Sequence, residues 1–404
     1  MTAYVRYALI AAVLLLTVIL PFVVNTTWQG ILTKMLIAAL FATGYNLLLG
    51  QAGLLSFGHA AFYGIGAIAT LHAMIAIERG SFYIPLPLLP LVGGAAGLVL
   101  AFIAGCFATK RSGTYFALVT LAMAELIHVI APMWETVFGG EAGLTAMRMP
   151  SLGFSFGSAR EVYLLTLVWA VLGIGLLWYL SKTAFGQLTL ALNGNEQRLK
   201  FLGFDTYKSK VLTFAISGMI AGLAGSLLAI ANETANYTLF SVGVSTQVIF
   251  HSFIGGTAFF FGPGIAAAAL TAIPFQLSNF THFWPLYQGL LFMIVMLATP
   301  AGIGGLLRDQ FSGDWSGQRV LATLRTIALS LVLTVLVVFA VEWAGSLRHG
   351  GASQSVSSVT PWSVALLLAA TLVVLILRWR FPGVFGQLKA SRMRTGSPQR
   401  QAMH

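Results

Sequence analysis

The chain has 404 residues, of which 58% are hydrophobic and only 8% charged, and its mean hydropathy is +0.87. Soluble domains carry roughly 25% charged residues, so a water-soluble globular protein is excluded and a polytopic membrane protein is expected. The formal charge of +11 is scattered among apolar runs and concentrated in a few loops, a topological pattern rather than a nucleic-acid footprint, and the single cysteine, Cys106, cannot form an internal disulfide.

Apolar stretches of spanning length fall at Tyr7–Val24, Gly30–Leu49, Leu54–Ile77, Leu86–Ala108, Thr114–Pro132, Val162–Leu180, Val211–Ala231, Val248–Ile273, Tyr287–Leu307, Val320–Val341 and Trp362–Val374. The first is followed by "NTTWQG", which offers no small-x-small cleavage site, so it reads as a span rather than a removable signal. Lys34, near the external end of the second, can snorkel to the interface.

The third span grows out of "GQAGLLSFGHAAFYGIGA", Gly50 to Ala67, ten of whose eighteen residues are Gly, Ala or Ser. Ala52, Ser56, Ala60 and Gly64 recur every fourth residue, which on a helix draws a line along one face. In lipid, such faces let backbones pack closely. His59 falls off that line, beside Leu55 and Tyr63. An intramembrane imidazole reads either as a functional group or as a neutral ring bonded to a neighbouring helix.

In the fifth span Glu125 lies eleven residues beyond Thr114, about 16 Å along a helix and so near the middle of a hydrocarbon core about 30 Å thick. His128 follows one turn later on the same face. The two read as a proton relay or as a satisfied interhelical contact. The seventh span, "AISGMIAGLAGSLLA", carries two adjacent small-residue lines, one of Gly218, Gly222 and Ser226 and one of Ser217, Ala221 and Gly225.

Basic connections set the orientation. "KRSG" after the fourth span is basic; Ser181–Lys210 holds five basic residues against Glu196 and Asp205; the tail from Arg378 has six basic residues and no acidic one. These three are expected in the cytoplasm, together with both termini. Met133–Glu161, with three glutamates against Arg148 and Arg160, is expected outside. From a cytoplasmic start, seven crossings leave Ala231 outside, and the basic tail stays inside only if Val248–Ile273 enters and returns on one side or makes two very short passes. "FIGGTAFFFGPGIAAA" suits that, with Gly255-Gly256 and Gly262-Pro263-Gly264 at its middle, because proline removes an amide donor and frees backbone groups. One kinked helix with another topology is the other reading. Broken helices near the midplane are common parts of substrate routes, so Gly255, Gly256 and Pro263 join His59, Glu125 and His128 as candidate translocation residues.

No G-x-x-x-x-G-K-[ST], H-E-x-x-H, C-x-x-C or G-x-S-x-G is present. Neither a catalytic nor a metal site is expected in this chain, and any energy for active transport comes from an ion gradient or from another subunit.

Four blocks in order, "GYNLLLGQAGLLSFGHAAFYGIGA", "GTYFALVTLAMAELI", "FGQLTLALNGNEQRLKFLGFDTYKSKVLTFAISGMIAGLAGSLLA" and "FIGGTAFFFGPGIAAA … LATPAGIGGLL", resemble the permease subunits of bacterial branched-chain amino acid ABC importers, in the LivM-type half. The resemblance covers roughly Gly30 to Leu307. It implies an all-α inner-membrane protein of about ten transmembrane helices plus a broken, re-entrant segment. It also implies a second permease subunit, two cytoplasmic ATPase subunits that bind ATP and Mg, and a periplasmic solute-binding protein, with no cofactor in this chain. The short helix that docks in the ATPase would fall on "NEQRLKFLGFD", with Asn195, Glu196, Arg198, Leu199 and Gly203 at its positions; a basic juxtamembrane loop attracted to anionic lipid is the competing reading.

Two departures stand out. Family members usually have several arginines before the "NE" pair, where this chain reads "GQLTLALNGNE", and they stop soon after "TPAGIGGLL", whereas residues 308–404 follow here with two more apolar segments and a basic tail. The expected division is therefore a permease domain, 1–307, and a C-terminal extension, 308–404. The expected activity is import of branched-chain amino acids, with urea, short amides and aromatic acids also open. The alternative is a proton-coupled secondary transporter using Glu125 and His128.

Overall fold

The computed structural model describes residues 17–81, 83–151 and 153–277, and positions 288, 289, 292 and 302. Helix α1 (Thr26–Asn46) continues into a π-helical turn at Leu47–Gln51. There follow α2 (His59–Glu78), α3 (Leu89–Ala108), α4 (Thr114–Ile130) and α5 (Ala159–Lys182). Two short helices, α6 (Ala184–Gly194) and α7 (Glu196–Phe201), lead to α8 (Thr206–Asn232), α9 (Val242–Gly255) and α10 (Gly262–Leu277). Among the described residues six helical stretches are long and apolar enough to cross a membrane, and they fall on the second to seventh expected spans. The side chains of Asn25, Ser158, Asn195 and Asp205 cap the N-termini of α1, α5, α7 and α8, filling backbone donors that the first turn leaves free.

Helix α8 is the most enclosed of the long helices, and it packs by backbone rather than by side chain. A Cβ placed on Gly222 would strike the carbonyl oxygen of Gly93; one on Gly97 would strike that of Gly218; one on Gly66 would strike that of Gly222. Gly225 lies in the same way against the carbonyl of Tyr63. The seam thus joins α8 to α2 and α3, and Gly93, Gly97 and Ala101 of α3 form the complementary line at four-residue spacing. Ser226 and Thr70 add a hydrogen bond across it, 2.7 Å long. Such approach is the usual use of small residues where lipid supplies no hydrophobic force between helices.

The third span departs from expectation. Residues 52–58 are not helical, and α2 begins at His59. Ala52 and Ser56 therefore do not share a helical line with Ala60 and Gly64. The cause lies in the preceding helix: Tyr45 Oη donates to the Ser56 carbonyl at 2.8 Å and accepts from the Ser56 amide at 3.1 Å. The Phe57 amide donates to Thr120 Oγ1 and the Gly58 amide to Ser56 Oγ. Side chains thus satisfy backbone groups that a helix would have paired, as burial requires. Of the original line, Ala60 is fully buried, and a Cβ on Gly64 would meet the ring of Phe240 at 2.6 Å.

The eighth span is two helices and not one kinked helix. Helix α9 has 14 residues and α10 has 16, about 21 and 24 Å at 1.5 Å per residue, each short of a hydrocarbon core about 30 Å thick. Gly255 and Gly262 meet backbone to backbone at the break. At the opposite end of α8 from α7, a two-residue antiparallel pair joins Leu144–Thr145 to Thr234–Ala235. Arg148 there donates through its amide (3.0 Å) and Nε (2.9 Å) to Glu233 Oε1.

Residues 1–16 (which include the first part of the first expected span), most of the ninth, the spans Val320–Val341 and Trp362–Val374 and the whole extension 308–404 lie outside the described residues, as does a total of about ten helices.

Candidate functional site

The expected docking element is a well-formed unit. Asn195 adopts an extended conformation and its Oδ1 accepts the Arg198 amide at 3.0 Å, which starts α7. Gly203, at φ +85°, stops it, a conformation glycine reaches without a Cβ clash. Within this turn and a half the side chains divide. Leu199 is buried and anchors the helix inward, so it is not offered to a partner as the docking positions were expected to be. Phe201 is 90% exposed, Leu202 66% and Phe204 50%. Arg198 is also exposed. Beside them a groove of about 590 Å³ runs between α6 and α8, lined by Phe185, Leu188, Ala191, Phe204, Lys208 and Leu212.

Glu196 faces the other way. Its Oε1 accepts from Lys200 Nζ at 3.0 Å and from Thr206 Oγ1 at 3.2 Å, and its Oε2 accepts from Lys210 Nζ. Partial burial raises the pKa of this carboxyl, but the hydrogen bonds and charges of Lys210 and Lys200 outweigh that and hold it below the ordinary carboxylate range. Asp205, on the surface, is also held low, by the amide and ammonium of Lys208.

His59 sits in the core between α1 and α8 with no exposure. Its Nε2 lies 2.8 Å from Ser217 Oγ and its Nδ1 lies 3.2 Å from Ser56 Oγ. Tyr45, Phe62 and Phe214 meet the ring edge-on. Both nitrogens are engaged, so the geometry gives His59 a role in joining helices and leaves it no nitrogen turned to a passage.

Glu125 and His128 are not bonded to each other among the described residues. His128 instead donates through Nδ1 to the carbonyl of Tyr237 at 3.2 Å, its ring 5.6 Å from that of Tyr237. The i, i+3 spacing put the two on one face, and the turn at Tyr237–Phe240 then drew the imidazole away from the carboxylate. The proton-relay reading loses its pair.

The break between α9 and α10 holds Gly255, Gly256 and Pro263, all buried. Close by, Asn46 Oδ1 and the Thr257 carbonyl both border Gly50 in the π-turn. Asn46 Oδ1, Gln51 Oε1 and His251 Nε2 are buried with no hydrogen-bond partner among the described residues. Sequence reading missed all three. Asn46 and Gln51 are uncharged and ordinary in composition, and only His251, an imidazole inside an apolar run, gave a signal that could have been used. Among the described residues no three His, Cys, Asp or Glu side chains converge as a metal site.

Six apolar helices, a glycine-packed central helix and a broken helical pair between them describe a polytopic α-helical membrane protein of the permease type. Residues 27–300 match the family described as branched-chain amino acid transport system / permease component, and the chain belongs to that family. It is 28% identical to the high-affinity branched-chain amino acid transport system permease protein LivM of Salmonella typhimurium, over 76% of this chain and 78% of that protein. LivM of Escherichia coli is also 28% identical, over 74% and 75%. The ribose import permease protein RbsC of Haemophilus influenzae is 29% identical over 58% of this chain and 70% of its own. No solved structure matches significantly.

Proposed function

We propose that the chain is the permease subunit of an ATP-driven importer for branched-chain amino acids or related small amino acids and amides. In this reading residues 1–307 are the transmembrane domain and 308–404 an added segment. The protein lies in a bacterial inner membrane, lipid around it and both termini cytoplasmic. It works with a second permease subunit, two cytoplasmic ATPase subunits that bind ATP and Mg, and a periplasmic solute-binding protein.

The observation that carries the reading is the exposed apolar group at the C-terminal end of α7 and in the turn after it. A helix of six residues that is capped at one end, stopped by glycine at the other and anchored by Leu199 is a rigid mount. Leaving Phe201, Leu202 and Phe204 in water is costly for an isolated chain and suits a complementary groove on a partner. Relatives named for amino acids and for ribose match at nearly equal identity, which supports placing solute choice largely on the binding protein. The route for solute runs past the π-turn and the break at Gly255, Gly256 and Pro263, where Asn46, Gln51 and His251 present free polar atoms in an otherwise apolar bundle. Transport proceeds by alternating access, with closure of the ATPases moving α7 and shifting α8 along its glycine seam.

Copurification with ATPase subunits from the same cells, followed by reconstitution in vesicles, tests this. Uptake of leucine is expected to require ATP and a loaded binding protein. Accumulation by the chain alone in response to a pH gradient would overturn it.

A further inference from the structure

The connection between α7 and α8 is only Leu202 to Asp205, and it contains Gly203 in the left-handed conformation. The Gly203 amide donates to the Lys200 carbonyl and the Phe204 amide to that of Leu199, which closes the end of α7 but does not reach α8, so the orientation of α7 on α8 falls to side chains. The side chains supply what the backbone lacks. Glu196, first residue of α7, reaches across the joint to Lys210 and Thr206 in the first turn and a half of α8. Lys210 is only 7% exposed, and Glu196 26%. Lys210 has no other ion-pair partner among the described residues, so its nearly buried charge holds α7 in one orientation.

We infer that Glu196 is a positioning residue, not a contact to the partner: with Lys210 it locks the docking helix α7 rigidly to α8, so that a push on Phe201 becomes a displacement of the glycine seam. The inference rests on the proposed importer function and adds the part of the chain that carries force. Two roles, which a family-based reading puts together on one short helix, separate in space. Phe201, Leu202 and Phe204 are offered outward, and Glu196 is turned inward and fully engaged. The line continues without a break, because α8 is a single helix of 27 residues that carries Gly218, Gly222 and Ser226 from its middle onward.

The test uses the full assembly of permease, ATPase and binding protein in vesicles, reading solute moved per ATP hydrolysed. Lys210→Met is the informative variant. It leaves the outer surface of α7 intact and leaves Glu196 its second cation, Lys200. The ATPase is expected to copurify with the variant while solute moved per ATP falls about ten-fold, the size of an ordinary coupling energy. The charge exchange Glu196→Lys with Lys210→Glu is expected to restore most of it, which a direct contact from Glu196 to the partner would forbid. Wild-type coupling in Lys210→Met, or a folded exchange variant that stays uncoupled, would overturn the inference and leave the importer reading standing. Failure of the wild-type chain to retain any ATPase would overturn that reading and the inference with it.

Discussion

His59 Nε2 donates to Ser217 Oγ, and the donor count fixes this direction. Ser217 has one hydroxyl proton and gives it to the Gly44 carbonyl at 2.7 Å, so toward His59, 2.8 Å away, it can only accept. The imidazole therefore carries its proton on Nε2, and Nδ1 accepts from Ser56 Oγ, which in turn accepts the Gly58 amide at 3.3 Å. One neutral ring ties α1, α2 and α8 together. Ser217→Ala strips the acceptor from His59 and the donor from Gly44 at once. It should cost about 1–3 kcal/mol, visible as a lower melting temperature in detergent, with His59→Ala costing at least as much.

Gly222→Leu tests the seam. No rotamer of leucine fits where a Cβ already meets the Gly93 carbonyl, so overpacking should cost about 3 kcal/mol or more and abolish folded protein in size-exclusion chromatography. Gly30, which has nothing within 4 Å of a built Cβ, is the control, and Gly30→Leu should elute as wild type.

Phe201→Asp separates docking from folding. At 90% exposure the side chain makes little of the fold, and the melting temperature should move by no more than the equivalent of about 0.5 kcal/mol. ATPase copurification should fall by an order of magnitude or more, as for an apolar anchor removed from an interface.

The Glu196 carboxyl gives a pH test with a defined sign. Its folded pKa is lowered, so its contribution to holding α7 on α8 is complete above the unfolded carboxylate value and is lost as pH falls through the lower, folded value. Protection of the α7 amides from hydrogen exchange, taken relative to the intrinsic rate at each pH, should begin to fall as pH drops through the ordinary carboxylate range and finish falling below it, at the lowered folded value. Glu196→Gln should remove that acid step.

Arg148→Met should loosen the connection at the other end of α8. Glu233 holds φ +59° there, as a non-glycine residue, and Arg148 reaches it with both its amide and Nε. Limited proteolysis between residues 146 and 158 should speed up several-fold, as expected when a segment loses its tie to the body of the protein.

Much of this was legible from residues alone. Apolar length placed the six described spans, and the paired glycines foretold the break between α9 and α10. What failed did so for a common reason, a partner distant in sequence. Helical spacing joined Ser56 to Ala60, but Tyr45 took the Ser56 backbone out of the helix. Spacing also joined Glu125 to His128, but Tyr237, far along the chain, claimed the imidazole. The α8 glycine lines were plain in the sequence; that their counterpart would be Gly93 and Gly97 was not, because nothing local says which helix lies opposite.

The backbone contact among Gly66, Gly93, Gly97 and Gly222 has a mechanical corollary. Beside the Thr70–Ser226 hydrogen bond across the seam, these backbone atoms attract one another by dispersion, which loses a quarter to a half of its depth over roughly 0.5–1 Å of separation. At these four positions there are no side chains to stretch, swing or interlock as the backbones part. The joint therefore behaves like a latch and not like a spring: firm at contact, nearly free once opened, and with little resting between the two.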